Sequence, residues 1–264
     1  MISAEQLHIT FNQGTPMETK ALQGVTLAIE GGQFVTVIGS NGAGKSTLLN
    51  CLTGESPPDR GTITIDGTEV TDWPAPRRAA LVARVFQDPM AGTCEALTIE
   101  ENLALAAARG TRRGLGRALD RERRDQFRTR VARLGLNLEN RLADRMGLLS
   151  GGQRQAVSLV MATLKPTKIL LLDEHTAALD PRMSAFVLEL TRELVEREQL
   201  TTLMVTHSMR QALDFGTRTV MLHEGRIVLD IAGEERDAMR VGDLVDMFAQ
   251  VRGQQLDSDK LLLS

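Results

Sequence analysis

The sequence predicts an α/β protein: a parallel sheet covered on both faces, an N-terminal antiparallel β portion, and an inserted helical portion. Three observations carry this. From residue 153 to 230, apolar runs alternate with amphipathic segments: "QRQAVSLVMATLK", "KILLLDE", "MSAFVLELTRELVERE", "TTLMVTH", "MRQALDFG" and "RTVMLHEGRIVLD". Strands that are apolar throughout need helices on either side of their sheet. Before residue 38 the chain consists of short β-branched runs between glycine-bearing turns. Between residues 89 and 152, helix formers replace strands.

In chain order, "LHITF", "VTLAIE" and "QFVTVIG" read as strands, and "TLLNCLTG" as a helix. "GTITIDG" and "VTDW" suggest a strand pair ahead of Pro74 and Pro76, and "LVARVFQ" a strand ending in a polar residue. "TIEENLALAAA" opens with Thr98 and Glu101 at capping-box spacing. "DRERRDQFRTRVARLG" continues as a helix ending near Gly135, and "GDLVDMFAQV" is a last helix before a short tail. The expected organisation is one domain, 1–264. Residues 1–88 form the β portion, 89–152 the helical insert, 153–232 the rest of the core, and 233–264 the C-terminal helix and tail.

The 264 residues are 42% hydrophobic and 25% charged, enough for a substantial core. A net charge of −3 gives no global signature for nucleic acid. The N-terminus lacks the pattern of a secretory signal, and apolar runs such as "ILLL" are strand-sized. The expected location is therefore cytoplasmic. Cys51 and Cys94 have neither metal-ligand nor redox spacing and read as reduced thiols.

Chemistry enters at "GSNGAGKST". Gly39, Ser40, Asn41, Gly42, Ala43, Gly44, Lys45, Ser46 and Thr47 follow an apolar strand and open a helix, the setting in which G-x-x-x-x-G-K-[ST] grips nucleotide phosphates. Backbone N–H groups and the helix dipole face the anion. Lys45 reaches the β- and γ-phosphates of ATP, and the Ser46 hydroxyl meets Mg²⁺. The competing reading is an accidental glycine-rich turn, which these flanks disfavour. "KILLLDE" drives a buried strand into Asp173 and Glu174. That is costly without a cation or hydrogen-bonding role, so Asp173 is read as the Mg²⁺ carboxylate and Glu174 as facing the attacking water. Read alone, the pair is also compatible with a solvated strand end. "LSGGQRQ" adds a second glycine-bearing helix start, either another phosphate grip or an ordinary serine-capped N-terminus.

With "VFQD", "AALD" and "VTH", these motifs resemble the ATP-binding-cassette ATPases, in that family's order, across residues 3–230. "LSGGQ" discriminates, because other P-loop ATPases lack it. The resemblance implies a RecA-like P-loop NTPase core that hydrolyses ATP with Mg²⁺. It implies a head-to-tail dimer with a second copy or a paralogous cassette. Ser150, Gly151, Gly152 and Gln153 then cap the partner's ATP, and Asp180 crosses between subunits. Gln87 matches the glutamine touching Mg²⁺ and the attacking water, and His207 the histidine contacting the γ-phosphate. Phe11 falls where the family stacks a ring on adenine, with core packing as the competing reading. Two departures stand out: His175 where proline is common, and "AALD" for "SALD".

The resemblance further implies a separate transmembrane permease, an extracytoplasmic substrate-binding protein, and a peripheral place on the inner face of the plasma membrane. "VFQDPMAGTCEALTIEENLALA" and "LLLDEHTAALDP" look like cassettes serving branched-chain-amino-acid-type permeases, hence a bacterial importer of amino acids. A soluble cassette acting on nucleic acid or the ribosome is the alternative, though the coiled coil, zinc cysteines or second cassette usual there are not visible. A mechanical cell-envelope cassette also stays open. Residues 109–133 hold ten arginines against three acids. That run suits a membrane-facing surface, a solvated salt-bridged face or, less well for want of aromatics, nucleic acid.

Overall fold

The computed structural model describes residues 1–111 and 118–250. Strands β1 (Ile2–Phe11), β2 (Thr19–Ile29), β4 (Arg60–Ile65) and β5 (Thr68–Glu69) form an antiparallel sheet in the order β2-β1-β4-β5. The second sheet has six strands in the order β10-β9-β3-β8-β7-β6. These are β3 (Phe34–Gly39), β6 (Val82–Val85), β7 (Ile169–Asp173), β8 (Thr202–Val205), β9 (Arg218–His223) and β10 (Arg226–Ala232). Pairing is parallel from β9 through β6, whereas the β9–β10 hairpin is antiparallel. The parallel expectation therefore holds except at that edge. There Gly225 at φ 73° follows Glu224 at φ 45°, and the chain turns back within two residues. "VTDW" is no strand: Trp73 N–H donates to Val70 O in a turn, and β5 spans two residues.

Strand parity builds the layers. In β7, Ile169 and Leu171 face the same core as the antiparallel sheet, and Leu170 and Leu172 face the helical side. Helix α1 (Lys45–Thr53) packs Leu48, Leu49 and Leu52 between the two sheets, each burial stabilising by about 1.5–3 kcal/mol. After the short α2 (Ala75–Arg78), the helical side comprises α3 (Ile99–Ala107), α4 (Arg121–Ala132), α5 (Gly151–Thr163) and α6 (Pro181–Glu198). The Thr98/Glu101 capping box forms at the start of α3. On the sheet face bearing Ile38 and Met221, α7 (Met209–Asp214) and α9 (241–250) cover a small apolar cluster, and α8 (Gly233–Asp237) follows β10. Among the described residues no helix is long and apolar enough to cross a membrane.

Candidate nucleotide site

The phosphate loop connects β3 to α1, and its backbone is set by close packing. Gly44, the N-cap of α1, sits at φ 100°, where a Cβ would lie 2.5 Å from Ala21 O of β2. Only glycine fits both constraints. No side chain caps this helix, and its first turn carries no acid. Its leading N–H groups and dipole are thus left to an outside anion. Lys45 is buried, with Nζ donating to Gly39 O at 3.0 Å and Ser40 O at 2.9 Å. Burial lowers its pKa, while Glu174 and then Asp173 pull it back up. A lysine held over its own loop beside an uncapped helix start suits a polyanionic ligand, and the two nearby carboxylates call for a cation between them and that ligand.

The carboxylates come from the neighbouring strands. Asp173 ends β7 and is buried. Glu174 follows at φ 44°, a left-handed conformation costing a non-glycine residue about 1–3 kcal/mol. Two contacts hold it there: its N–H donates to Val205 O at 3.0 Å, and its Oε1 lies 2.7 Å from His207 Nε2. An Nε2–H donated to the carboxylate orients both groups. His207 is half exposed, whereas the Glu174 side chain is 9% exposed. The turn bearing His207 is fixed by Ser208, whose hydroxyl accepts from Gln211 N and caps α7. Next door, burial drives His175 down to a pKa of about 4. Its Nε2 lies 3.0 Å from Thr191 Oγ1, whose own proton goes to Val187 O. His175 is therefore neutral, with the proton on Nε2.

Lys45, Asp173, Glu174 and His207 thus gather at the carboxyl ends of β3, β7 and β8, where sheets of this type place ligands. Gln87 is exposed just past β6. Phe11 is 42% exposed at the end of β1 and lies outside the core clusters. Among the described residues no cluster of three or more His, Cys, Asp or Glu could hold a metal. The donor set of Asp173, the Ser46 hydroxyl and ligand phosphates still fits Mg²⁺, which is commonly held by one carboxylate and substrate oxygens.

Among the described residues no hydrogen bond or ion pair joins residues 150–153 to residues 39–47. Ser150 caps α5 in a full capping box, its Oγ accepting from Gln153 N and its N–H donating to Gln153 Oε1. Gly152 is forced by packing, since a Cβ would come 2.6 Å from Met183 Cε and 2.9 Å from Met183 Cβ. Asp180 caps α6 through Arg182 N and Met183 N. The serine-cap reading of "LSGGQ" and the phosphate reading coexist: the box satisfies residues 150 and 153 and leaves Gly151 and Gly152 N–H for an outside acceptor.

Two residues escaped the motif reading. Gln155 is buried and donates from Nε2 to Phe86 O at 3.0 Å, linking α5 to the segment before Gln87. Arg84 lies 2.7 Å from Asp173 Oδ2. No sequence signal singles out Arg84, whose partner is set by the pairing of β6 with β7. Of the seven described arginines of the basic run, four form ion pairs: Arg123 with Asp120, Arg124 with Glu100, Arg128 with Asp125, and Arg130 with Glu198. This favours the salt-bridged face for that stretch, and residues 112–117 of the run lie outside the described residues.

A family model described as ABC transporter matches residues 22–177. The chain belongs to the ABC transporter ATPases. This cassette is 41% identical over 248 residues to a tyrosine transport ATP-binding protein of Clostridioides difficile (strain R20291), covering 94% of this chain and 98% of the relative. It is 36% identical over 202 residues to the thiamine import ATP-binding protein ThiQ of Escherichia coli (strain K12), covering 76% and 82%. A solved dimeric structure of a post-hydrolysis ATP-binding cassette bound to ADP and Pi matches with TM-score 0.76 and 28% identity, covering 88% of this chain and 98% of that one. A dimeric bacterial ABC transporter cassette matches with TM-score 0.76 and 29% identity over the same shares. The cassette is thus an ATPase of the P-loop fold, the ATP-binding subunit of a transporter.

Proposed function

We propose that this cassette energises a bacterial importer of amino acids, acting as a head-to-tail pair against permease subunits on the inner face of the plasma membrane. The observation carrying the paired state is that one chain holds a phosphate loop with its carboxylates and, bonded to none of them, a second glycine-bearing helix start at α5. In a pair, Ser150, Gly151, Gly152, Gln153 and Asp180 would complete the site on the partner, whether a second copy or a paralogue. The dimeric solved cassettes support this.

In the completed site, Lys45 and the first-turn N–H groups of α1 would hold phosphate oxygens. Glu174, oriented by His207, would take the proton of the attacking water. Mg²⁺, held by Ser46, Gln87 and Asp173, would supply neutralisation of phosphate charge. Phe11, exposed at the end of β1, would stack on adenine.

A tyrosine-transport relative aligned along nearly its whole length, with a thiamine-import relative behind it, supports import and an amino-acid solute. An extracytoplasmic binding protein would then deliver the solute to the permease. A groove of about 1230 Å³ between α2, residues 86–94, α3 and α5, with Leu105 and Met90 exposed beside it, suits an apolar cytoplasmic segment of that permease. The paired arginines of α4 weigh against nucleic acid. Affinity purification of the tagged cassette from its own membranes tests the reading. A polytopic permease should come with it, and recovery with ribosomes or nucleic acid instead would overturn it.

A further inference from the structure

Arg84 occupies a place that its motif neighbours do not explain. Parallel pairing sets Arg84 opposite Leu171, and parity turns Arg84, Leu171 and Asp173 to the α1 side of the sheet. From there Arg84 Nη2 donates to Asp173 Oδ2 at 2.7 Å, and Nη1 donates to Asn50 Oδ1 of α1 at 2.7 Å and Glu55 Oε2 at 3.0 Å. The guanidinium carbon lies 4.7 Å from the centroid of the Phe86 ring, one residue before Gln87. The Arg84 and Asp173 side chains are each only 10% exposed.

We infer that Arg84 is a positioning residue for the metal site: its forked contacts fix the Asp173 carboxylate, tie it to the phosphate-loop helix, and hold Gln87's approach through Phe86. This rests on the reading of Asp173 as a Mg²⁺ ligand. Two facts favour positioning over simple neutralisation. Arg84 takes only Oδ2, and Oδ1 accepts no hydrogen bond from the described residues. The same guanidinium is shared with Glu55, so Glu55, Asp173 and Glu174 outnumber Arg84 and Lys45 as charges. The local balance stays negative and still attracts a divalent cation. Partners that orient ligating carboxylates commonly change metal affinity by about 10- to 100-fold when removed.

The test is binding of a fluorescent ATP analogue to the full chain, in EDTA and along a Mg²⁺ titration, with no turnover required. Arg84→Met should raise the Mg²⁺ concentration for half-maximal tightening by about tenfold, while affinity in EDTA moves by less than about twofold. Arg84→Lys keeps the charge but loses the fork; it should also shift the Mg²⁺ midpoint upward, and it serves if the methionine variant fails to fold. A midpoint unchanged or lowered in both variants would overturn the inference and leave Arg84 as a stitch between β6 and α1. Asp173→Asn separates the two levels. If it too leaves the midpoint unmoved, the metal reading of Asp173 fails and takes the inference with it. If it alone shifts the midpoint, only the role of Arg84 fails.

Discussion

Acidification should destabilise this cassette at one buried residue. His175 is held neutral, its pKa lowered by burial from 6.5 to about 4. The unfolded chain regains the ordinary value, so between those values it binds more protons than the folded one. Stability attributable to His175 is therefore complete above the unfolded pKa and is lost as pH falls toward the folded pKa. The full shift corresponds to about 3 kcal/mol, and from about pH 7.5 to about pH 5 the linkage relation gives a loss of about 2 kcal/mol. The assay is urea denaturation at both pH values for the natural chain and for His175→Gln, which keeps an N–H able to reach Thr191 Oγ1 without titrating. Glu174 and the other carboxylates titrate in both proteins and cancel in the difference. The natural chain should lose about 2 kcal/mol more than the variant on acidification. A difference within about 0.5 kcal/mol would refute the buried neutral imidazole.

Two substitutions probe the site from other sides. Glu174→Gln should keep nucleotide binding, lose about a hundredfold or more in turnover, and accumulate ATP-bound dimers visible by size-exclusion chromatography; hydrolysis at the natural rate would remove Glu174 from the role of base. Gly44→Ala places a Cβ 2.5 Å from Ala21 O at φ 100°, so it should cost at least about 2 kcal/mol and abolish ATP binding, measured by thermal melts and nucleotide fluorescence.

Much of this was legible in residue order because the chemistry constrains local sequence tightly. Lys45 needs a strand before it and a helix after it, and "KILLLDE" shows a buried strand meeting carboxylates. Features set by side-chain geometry across elements were not legible. That Glu174 and His207 pair depends on β7 and β8 lying side by side, which joins residues 33 positions apart. Arg84 reads as an ordinary alternating residue until β6 is known to flank β7. The β9–β10 reversal hides because "HEGR" is a two-residue turn inside one apolar stretch. The arginine run stays open in the sequence for a related reason: its acids lie partly on other elements, Glu100 on α3 and Glu198 on α6.

The most direct measurement of the paired site mixes two inactive variants. Lys45→Ala removes the phosphate lysine and Ser150→Arg blocks the α5 N-terminus, so each homodimer has two defective sites. If the site forms across subunits, a mixed dimer carries both defects in one site and none in the other. An equimolar mixture should recover about a quarter of natural turnover, with half of the dimers mixed and one of two sites intact, while the chain carrying both substitutions adds nothing when mixed with itself. No recovery in a mixture shown to contain mixed dimers would contradict the assignment of Ser150 to the partner's nucleotide.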